Sequence, residues 1–266
     1  SLTLDVLDRA ITLSRLTNGA FDITAGPLVE AWGFTKRRGQ KPSSEVVQAA
    51  LARVGYQKLV LDHERGTAEL LEPGMAVNLG AIGKGYALDH IAASLRAAGI
   101  DDFLVHGGRS SVLVAGDDEP GTGSGWRVAV EHPLLPGTRL GGLRLAGQAL
   151  GTSGSGKQFF HHQGRRLGHV IDPRTGWPSG DMLSLTVLAP SAMDADALAT
   201  GLFVMGWEQA NQLVQAGKAE STSATRSPAL LGSNVALIGV FPTGRQAGVE
   251  LRRTGLAEGT WIEHSD

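Results

Sequence analysis

Cysteine is absent from this chain of 266 residues. Its absence excludes disulfides, thiolate nucleophiles and cysteine-ligated zinc or iron–sulfur centres, and it leaves the redox compartment open. Long apolar runs are lacking too: none approaches the length of about 18 residues that a membrane-spanning helix needs. Charge of one sign does not dominate. With 24 Lys and Arg against 26 Asp and Glu, the formal net charge is −2, so nothing global draws the chain to nucleic acid or to an anionic membrane. Aromatic residues are sparse, and none is interleaved with the one basic run, Thr35–Lys41 (TKRRGQK). That run therefore reads as a solvated loop and not as a nucleic-acid patch. No signal peptide is visible, and the chain opens in SLTLDVLDRAITLSRL without a methionine, which reads as a trimmed or mature form.

What the chain does have is glycine, 37 residues of it, and a hydrophobic content of 42% that suffices for a substantial core. Leu4, Leu7, Ile11 and Leu13–Leu16 recur at helical spacing, and Asn18-Gly19 stops the helix. PSSEVVQAALARVG, YALDHIAASLRAAG, ADALATGLFVMG and WEQANQLVQAG predict four more helices. Strands are predicted at KLVLD, AELLEPGMAVNLG, DFLVHGG, SSVLVAG, WRVAVEHP, LRLAGQAL, FFHHQG, GHVIDP, LSLTVLAP, NVALIGVFPTG and GVELRRTG. Strands and helices come in blocks, which predicts an α+β fold with a mostly antiparallel sheet, and residues 1–266 read as one domain. Gly217–Ser233 is the most linker-like segment and reads as a long surface loop.

Four stretches carry chemistry-bearing residues. In NLGAIGKGYALDHIAASL, Gly80, Gly83 and Gly85 lead into a helix with Lys84 among them. Two readings stand side by side: a phosphate cradle at a helix N-terminus, or a tight strand-to-helix turn with an exposed lysine. GTSGSGKQFF places Gly151, Gly156 and Lys157 at P-loop spacing, but Gln158 replaces the magnesium-binding hydroxyl and a hairpin follows. A glycine-rich loop is the better reading, with Ser153 and Gly154 available to line a pocket. GHVIDPRTGWPSG is good turn chemistry around Asp172, Pro173 and Gly176, which leaves His169 unexplained between apolar neighbours. In DADALATG, Asp196 and Thr200 are four apart, hence on one helix face, where they offer the hard oxygen ligands that Mg²⁺ takes. Asp194 reads as the N-cap of that helix.

Taken together, TNGAFDITAGPLVEAWGF, NLGAIGKGYALDHIAASLRAAGI, LGTSGSG, GHVIDPRTGWP and DADALATGLFVMG, in this order, resemble the ApbE family of FAD:protein FMN transferases over most of the chain. The resemblance implies a T-fold-like α+β architecture, FAD in a cleft, and Mg²⁺ beside the pyrophosphate. It implies Asp196 and Thr200 as magnesium ligands by side chain, with the carbonyls of Ala81 and Ala199 beside them. Gly80, Ala81, Gly83, Lys84, Gly85, Gly107, Gly108, Ser153 and Gly154 would lie along the cofactor. His169 and Asp172 would sit by the flavin and its phosphate, with His169 or a nearby carboxylate as base. The implied reaction moves FMN from FAD to a Ser or Thr hydroxyl of an acceptor flavoprotein and releases AMP, in the periplasm or on a lipoprotein anchor.

The chain also departs from the family pattern. Family members carry a further stretch before TNGAFDIT, which includes a strand that helps cover the FAD. Where they have N-x-G-G-D, this sequence reads His106-Gly107-Gly108-Arg109 with Arg109 at the acidic position, and SGKQFF stands where a tyrosine is usual after TSG. Two alternatives to the transferase follow: an FAD pyrophosphatase giving FMN and AMP, or a degenerate member that binds a flavin or another ligand without turnover.

Overall fold

The computed structural model describes residues 1–34, 39–154, 159–162, 165–221, 231, 234–244 and 247–263. Most of the basic run, Gly156 and Lys157 of the P-loop-like stretch, and most of Gly217–Ser233 lie outside the described residues.

Apolar residues at helical spacing give α1 (Leu2–Leu16), with Leu4, Leu7, Ile11 and Leu13 buried and Ser1 as its N-cap. α2 (Gly26–Ala31) and α3 (Ser44–Leu51) follow, the latter capped by Ser43. β1 (Leu59–Asp62) and β2 (Thr67–Leu70) form a small hairpin. The strand predicted from Ala68 to Gly80 stops there because Pro73-Gly74 turns the chain, and Ala76 keeps only a single bridge to Ala25. α4 (Gly83–Ala97) begins at the glycines and not after them.

β3 (Phe103–His106), β4 (Ser111–Ala115), β5 (Trp126–Glu131), β6 (Arg139–Leu145) and β7 (Ala149–Gly154) come next, then the hairpin of β8 (Phe159–His162) and β9 (Arg165–Gly168). Of the predicted strand GHVIDP, only Gly168 and Ile171 pair, the latter in a lone bridge to Pro178. The chain closes with β10 (Ser184–Ala189), α5 (Ala192–Met205), α6 (Trp207–Ser221), β11 (Ala236–Pro242), β12 (Val249–Thr254) and β13 (Trp261–Ile262). α6 thus runs into the stretch that the sequence marks as a loop.

All strand–strand pairings are antiparallel, in a six-stranded sheet of order β12-β11-β10-β7-β4-β3 and a three-stranded sheet of order β13-β6-β5. This is the expected α+β class. The alternation along β10 sorts its side chains to two cores. Leu185, Val187 and Ala189 join the helix-side core with α1, α4 and α5, whereas Leu188, with Val114, Leu150 and Ile238, packs against Leu143 and Leu145 of the smaller sheet. A third cluster of Leu28, Trp32, Phe34, Val47, Ala50 and Ile171 holds α2 and α3 to the loop after β9.

α5 is apolar nearly all round and correspondingly buried, with small residues where neighbours press on it. Gly151 of β7 faces its backbone so closely that a Cβ would lie 2.7 Å from the Asp196 nitrogen. Gly85 of α4 is closer still, and a Cβ there would collide with the Ala192 carbonyl. Overpacking at such a contact costs about 1–3 kcal/mol. Gly85→Ala is therefore expected to lower stability by at least that much, read as a fall in midpoint in chemical denaturation. An unchanged midpoint would mean that the two helices do not meet backbone to backbone.

Candidate active site

Two helices cap each other at the centre of the molecule. From α4, Asp89 accepts the Ala192 and Met193 N–H groups of α5 at 2.8 and 2.9 Å. From α5, Asp196 accepts the Gly85 N–H of α4 at 2.8 Å through Oδ2. Helix N-termini leave N–H groups unpaired and favour negative charge, so each carboxylate sits where the other helix wants it. The cap of α5 is Ser191, whose Oγ accepts the Asp194 N–H at 3.1 Å, and not Asp194 as the sequence led us to expect. Asp194 instead takes a two-point bond from Arg9 of α1, 2.7 Å at each nitrogen, which raises the Arg9 pKa. Burial pushes the Asp89 carboxyl up, with the two backbone donors pulling it back.

Asp196 is buried, at 5% exposure. Besides Gly85 it accepts the Ser111 hydroxyl at 2.5 Å through Oδ1, and the Lys84 ammonium stands 3.4 Å from Oδ2. Lys84 also reaches the Gly80 carbonyl at 3.3 Å. One turn along α5, the Thr200 hydroxyl shares a 2.9 Å hydrogen bond with Ser153 at the end of β7.

These groups face a cleft of about 810 Å³, within the roughly 300–1,000 Å³ range of small-molecule sites. It lies where β4 starts, β7 ends and β10 starts, a meeting that antiparallel order places at one end of the sheet. The sheet face that is apolar at Val114 and Leu188 carries hydroxyls here, with Thr152 bonded to Thr186 at 2.9 Å. Gly80, Ala81, Lys84, Ser153, Gly154, His169, Asp196 and Thr200 all line the cleft. Gly83, Gly85, Gly107, Gly108, Asp172 and Ala199 are not among its lining. Gly85 makes room for α5, and Gly108 supplies the positive φ of 70° that the β3–β4 turn needs.

His169 is half-buried among the cleft-lining residues, with its ring edge-to-face against Phe34 at 6.3 Å between centroids. The following loop is closed on itself. Asp172 donates its N–H to the Trp177 carbonyl at 2.8 Å, and its carboxylate accepts the Arg174 N–H, Nε and Nη2 at 2.9 Å each. Trp32 ties the loop down through Nε1, 2.8 Å from the Gly176 carbonyl. The Asp172 carboxylate thus braces the turn that carries Pro173 into the cleft wall.

Sequence reasoning did not single out Ser111, Asp22 or Glu131. Ser111 stands two residues past Arg109 in the HGGRSS run, so proximity to the motif was its only signal. Asp22 lines the cleft, accepts from the Thr24 N–H and hydroxyl and from the Tyr56 N–H, and has its pKa raised by burial. Glu131 ends β5 and approaches Arg109 to 3.8 Å across the cleft.

The donor set suits a hard cation. Asp196 Oδ1 accepts the Ser111 hydroxyl and has a further lone pair, and the Thr200 and Ser153 hydroxyls stand along the same wall. Among the described residues, no group of three or more His, Asp or Glu could form a metal cage. A cation here would rest on one carboxylate with hydroxyl and carbonyl oxygens and fill its shell from water or phosphate, which is the way Mg²⁺ is bound.

A buried carboxylate, a lysine and a hydroxyl-lined cleft at the end of an antiparallel sheet define a polar small-molecule site. The chain belongs to the ApbE family, whose model matches residues 1–224. It is 37% identical over 218 residues to the FAD:protein FMN transferase of Klebsiella pneumoniae (strain 342), covering 80% of this chain and 61% of that protein. With the enzyme of the same name from Escherichia coli (strain K12) it shares 36% over 219 residues, 79% of this chain and 61% of that one. The chain thus spans about three fifths of the length of these relatives. Among solved structures, the apo flavinyl transferase ApbE of Pseudomonas stutzeri matches with a TM-score of 0.76 at 28% identity, covering 96% of this chain and 73% of that one. The flavin transferase ApbE of Vibrio cholerae matches at 0.75 and 30%, covering 96% and 75%.

Removing the Ser111 hydroxyl leaves Asp196 Oδ1 without its donor in a buried setting. A hydrogen bond to a charged group is worth about 1.5–3 kcal/mol. Ser111→Ala is expected to lose stability of that order in urea unfolding, and a loss below about 0.5 kcal/mol would show that the hydroxyl does not hold the carboxylate.

Proposed function

We propose that the chain transfers FMN from FAD to a Ser or Thr hydroxyl of an acceptor flavoprotein, with AMP as leaving group. The observation that carries this reading is Asp196, held buried at the cleft wall by Gly85 and Ser111 and flanked by Lys84 and Thr200. Names of relatives at 36–37% identity support it.

Asp196 and Thr200 would hold Mg²⁺, with the Ala81 carbonyl, which also lines the cleft, as a further oxygen donor. Bound there, the ion supplies charge neutralisation at the pyrophosphate and Lewis-acid activation of its phosphorus. Lys84 follows the phosphate as a point charge, since its stem is flexible and its ammonium meets Asp196 and the Gly80 carbonyl at 3.3–3.4 Å. The apolar wall of Val29, Phe34 and Ile171 offers the flavin ring a surface that excludes water. The acceptor oxygen attacks the phosphorus on the FMN side, the bond to the AMP oxygen breaks, and the hydroxyl proton passes to the His169 imidazole. Asp172 acts through the turn that it braces and is a positioning residue.

The test is chromatography of products after incubating the protein with FAD, Mg²⁺ and an acceptor domain carrying a flavinylation site. AMP release that needs both acceptor and Asp196, and is lost at least about a hundredfold in Asp196→Ala, is the expected outcome. Release that proceeds equally without acceptor would make the chain an FAD pyrophosphatase. No AMP from the folded protein under any of these conditions would remove the enzyme reading.

A further inference from the structure

The cleft mouth carries a charge pair to which the reaction above gives no task. Arg109 follows Gly108 in the β3–β4 turn, which is fixed by the Gly107 N–H bonded to the Ser111 carbonyl at 2.9 Å. Glu131 faces it from the end of β5, at the point where the pairing with β6 slips register. The two belong to different sheets, and both line the cleft. Their approach is a single N–O distance of 3.8 Å between side chains 71% and 48% exposed. An exposed pair at that separation is held weakly. The guanidinium fork matches phosphate at two points, a far better partner than one distant carboxylate oxygen.

The charge count of the cleft gives the pair its meaning. Among the described lining residues Lys84 and Arg109 face Asp22, Glu131 and Asp196, two cations against three carboxylates. Lys84 is already engaged by Asp196. An incoming polyanion therefore finds both of these cations beside a carboxylate, Arg109 beside Glu131.

We propose that Arg109 and Glu131 form an electrostatic latch across the mouth, which a phosphate of the incoming dinucleotide opens by taking the Arg109 guanidinium and releasing Glu131 to solvent. Arg109 is then a specificity-determining residue for the pyrophosphate-bearing half of the ligand. This rests on the reading of the cleft as an FAD site. The latch also sets a direction: Glu131 competes with the ligand, so removing its charge strengthens binding, whereas removing Arg109 weakens it.

The test is equilibrium binding to the full chain, with Mg²⁺ and without acceptor, of FAD, ADP and uncharged riboflavin. Arg109→Ala is expected to weaken FAD and ADP about ten- to a hundredfold, the worth of a charged hydrogen-bond pair. Riboflavin affinity stays as in the wild type, and the dependence of FAD binding on salt becomes shallower. Glu131→Gln is expected to tighten FAD about two- to fivefold. Both side chains are exposed, and circular dichroism checks that each variant is folded. Unchanged FAD affinity in folded Arg109→Ala, an equal loss for riboflavin, or weaker FAD binding in Glu131→Gln overturns the latch while the FAD site stands. A wild type that binds neither FAD nor ADP overturns the reading of the cleft, and the latch with it.

Discussion

The reciprocal capping of α4 and α5 is the constraint on which the rest of the molecule depends. Asp89 closes the start of α5, and Asp196 closes the start of α4. A buried carboxylate is costly unless donors surround it. Here the donors are the N–H groups that each helix must place somewhere, so two desolvation problems solve each other. The geometry allows no bulk at the crossing, which is why Gly85 and Gly151 stand where α5 comes nearest and why alanines crowd its buried face. Arg9 completes the arrangement by neutralising Asp194, the remaining acid of that first turn. A fixed α5 in turn fixes Thr200, one turn beyond Asp196.

The same arrangement turns a structural carboxylate into a chemical one. Ser111 and Gly85 hold Asp196 from two sides and leave it facing the cleft, beside the Ser153–Thr200 pair. Position and orientation are set before any ligand arrives, and a preorganised charge in a partly water-excluded wall acts more strongly than the same charge in solvent. The six-stranded sheet supplies the second half of the site by changing character along its length. Where the smaller sheet covers it, the face is Val114, Leu188 and Ile238. At the end that is open to ligand it is Thr152, Ser184 and Thr186.

How much of this was legible in the sequence depends on whether the signal was local. The Asp196–Thr200 face, the turn chemistry of DPRTG and the glycines around the start of α4 are short-range patterns, and each was readable at its position. Asp194 reads as a cap because it lies near the helix start, yet S-x-x-D with Ser191 in front is itself a helix-start signature. The strand predicted through Ala68–Gly80 ignored Pro73-Gly74, where a missing N–H and a turn end the pairing. Gly85 was readable as permissive, but what it permits is a neighbouring helix, and that neighbour lies more than a hundred residues on. Asp89 and Ser111 became functional supports only through partners in α5. Glu131 had no local signal at all, since its opposite number sits on another sheet.

The two walls of the cleft differ in how they are held. Asp196, Thr200 and Lys84 belong to helices embedded in the main core, with Leu198, Leu202 and Phe203 of α5 buried within it. The His169 rim is shared between two clusters: Val170 belongs to the main core, whereas Ile171 joins the small cluster of Leu28, Trp32 and Phe34 that ties α2 and α3 to the loop. Local stability follows the number of buried apolar contacts behind an element, so α5 is the strongly supported wall. Arg174 on Asp172 and Trp32 on the Gly176 carbonyl keep the loop itself in one piece. The histidine-bearing turn thus keeps its shape through its own hydrogen bonds and its place through the packing of Val170 and Ile171.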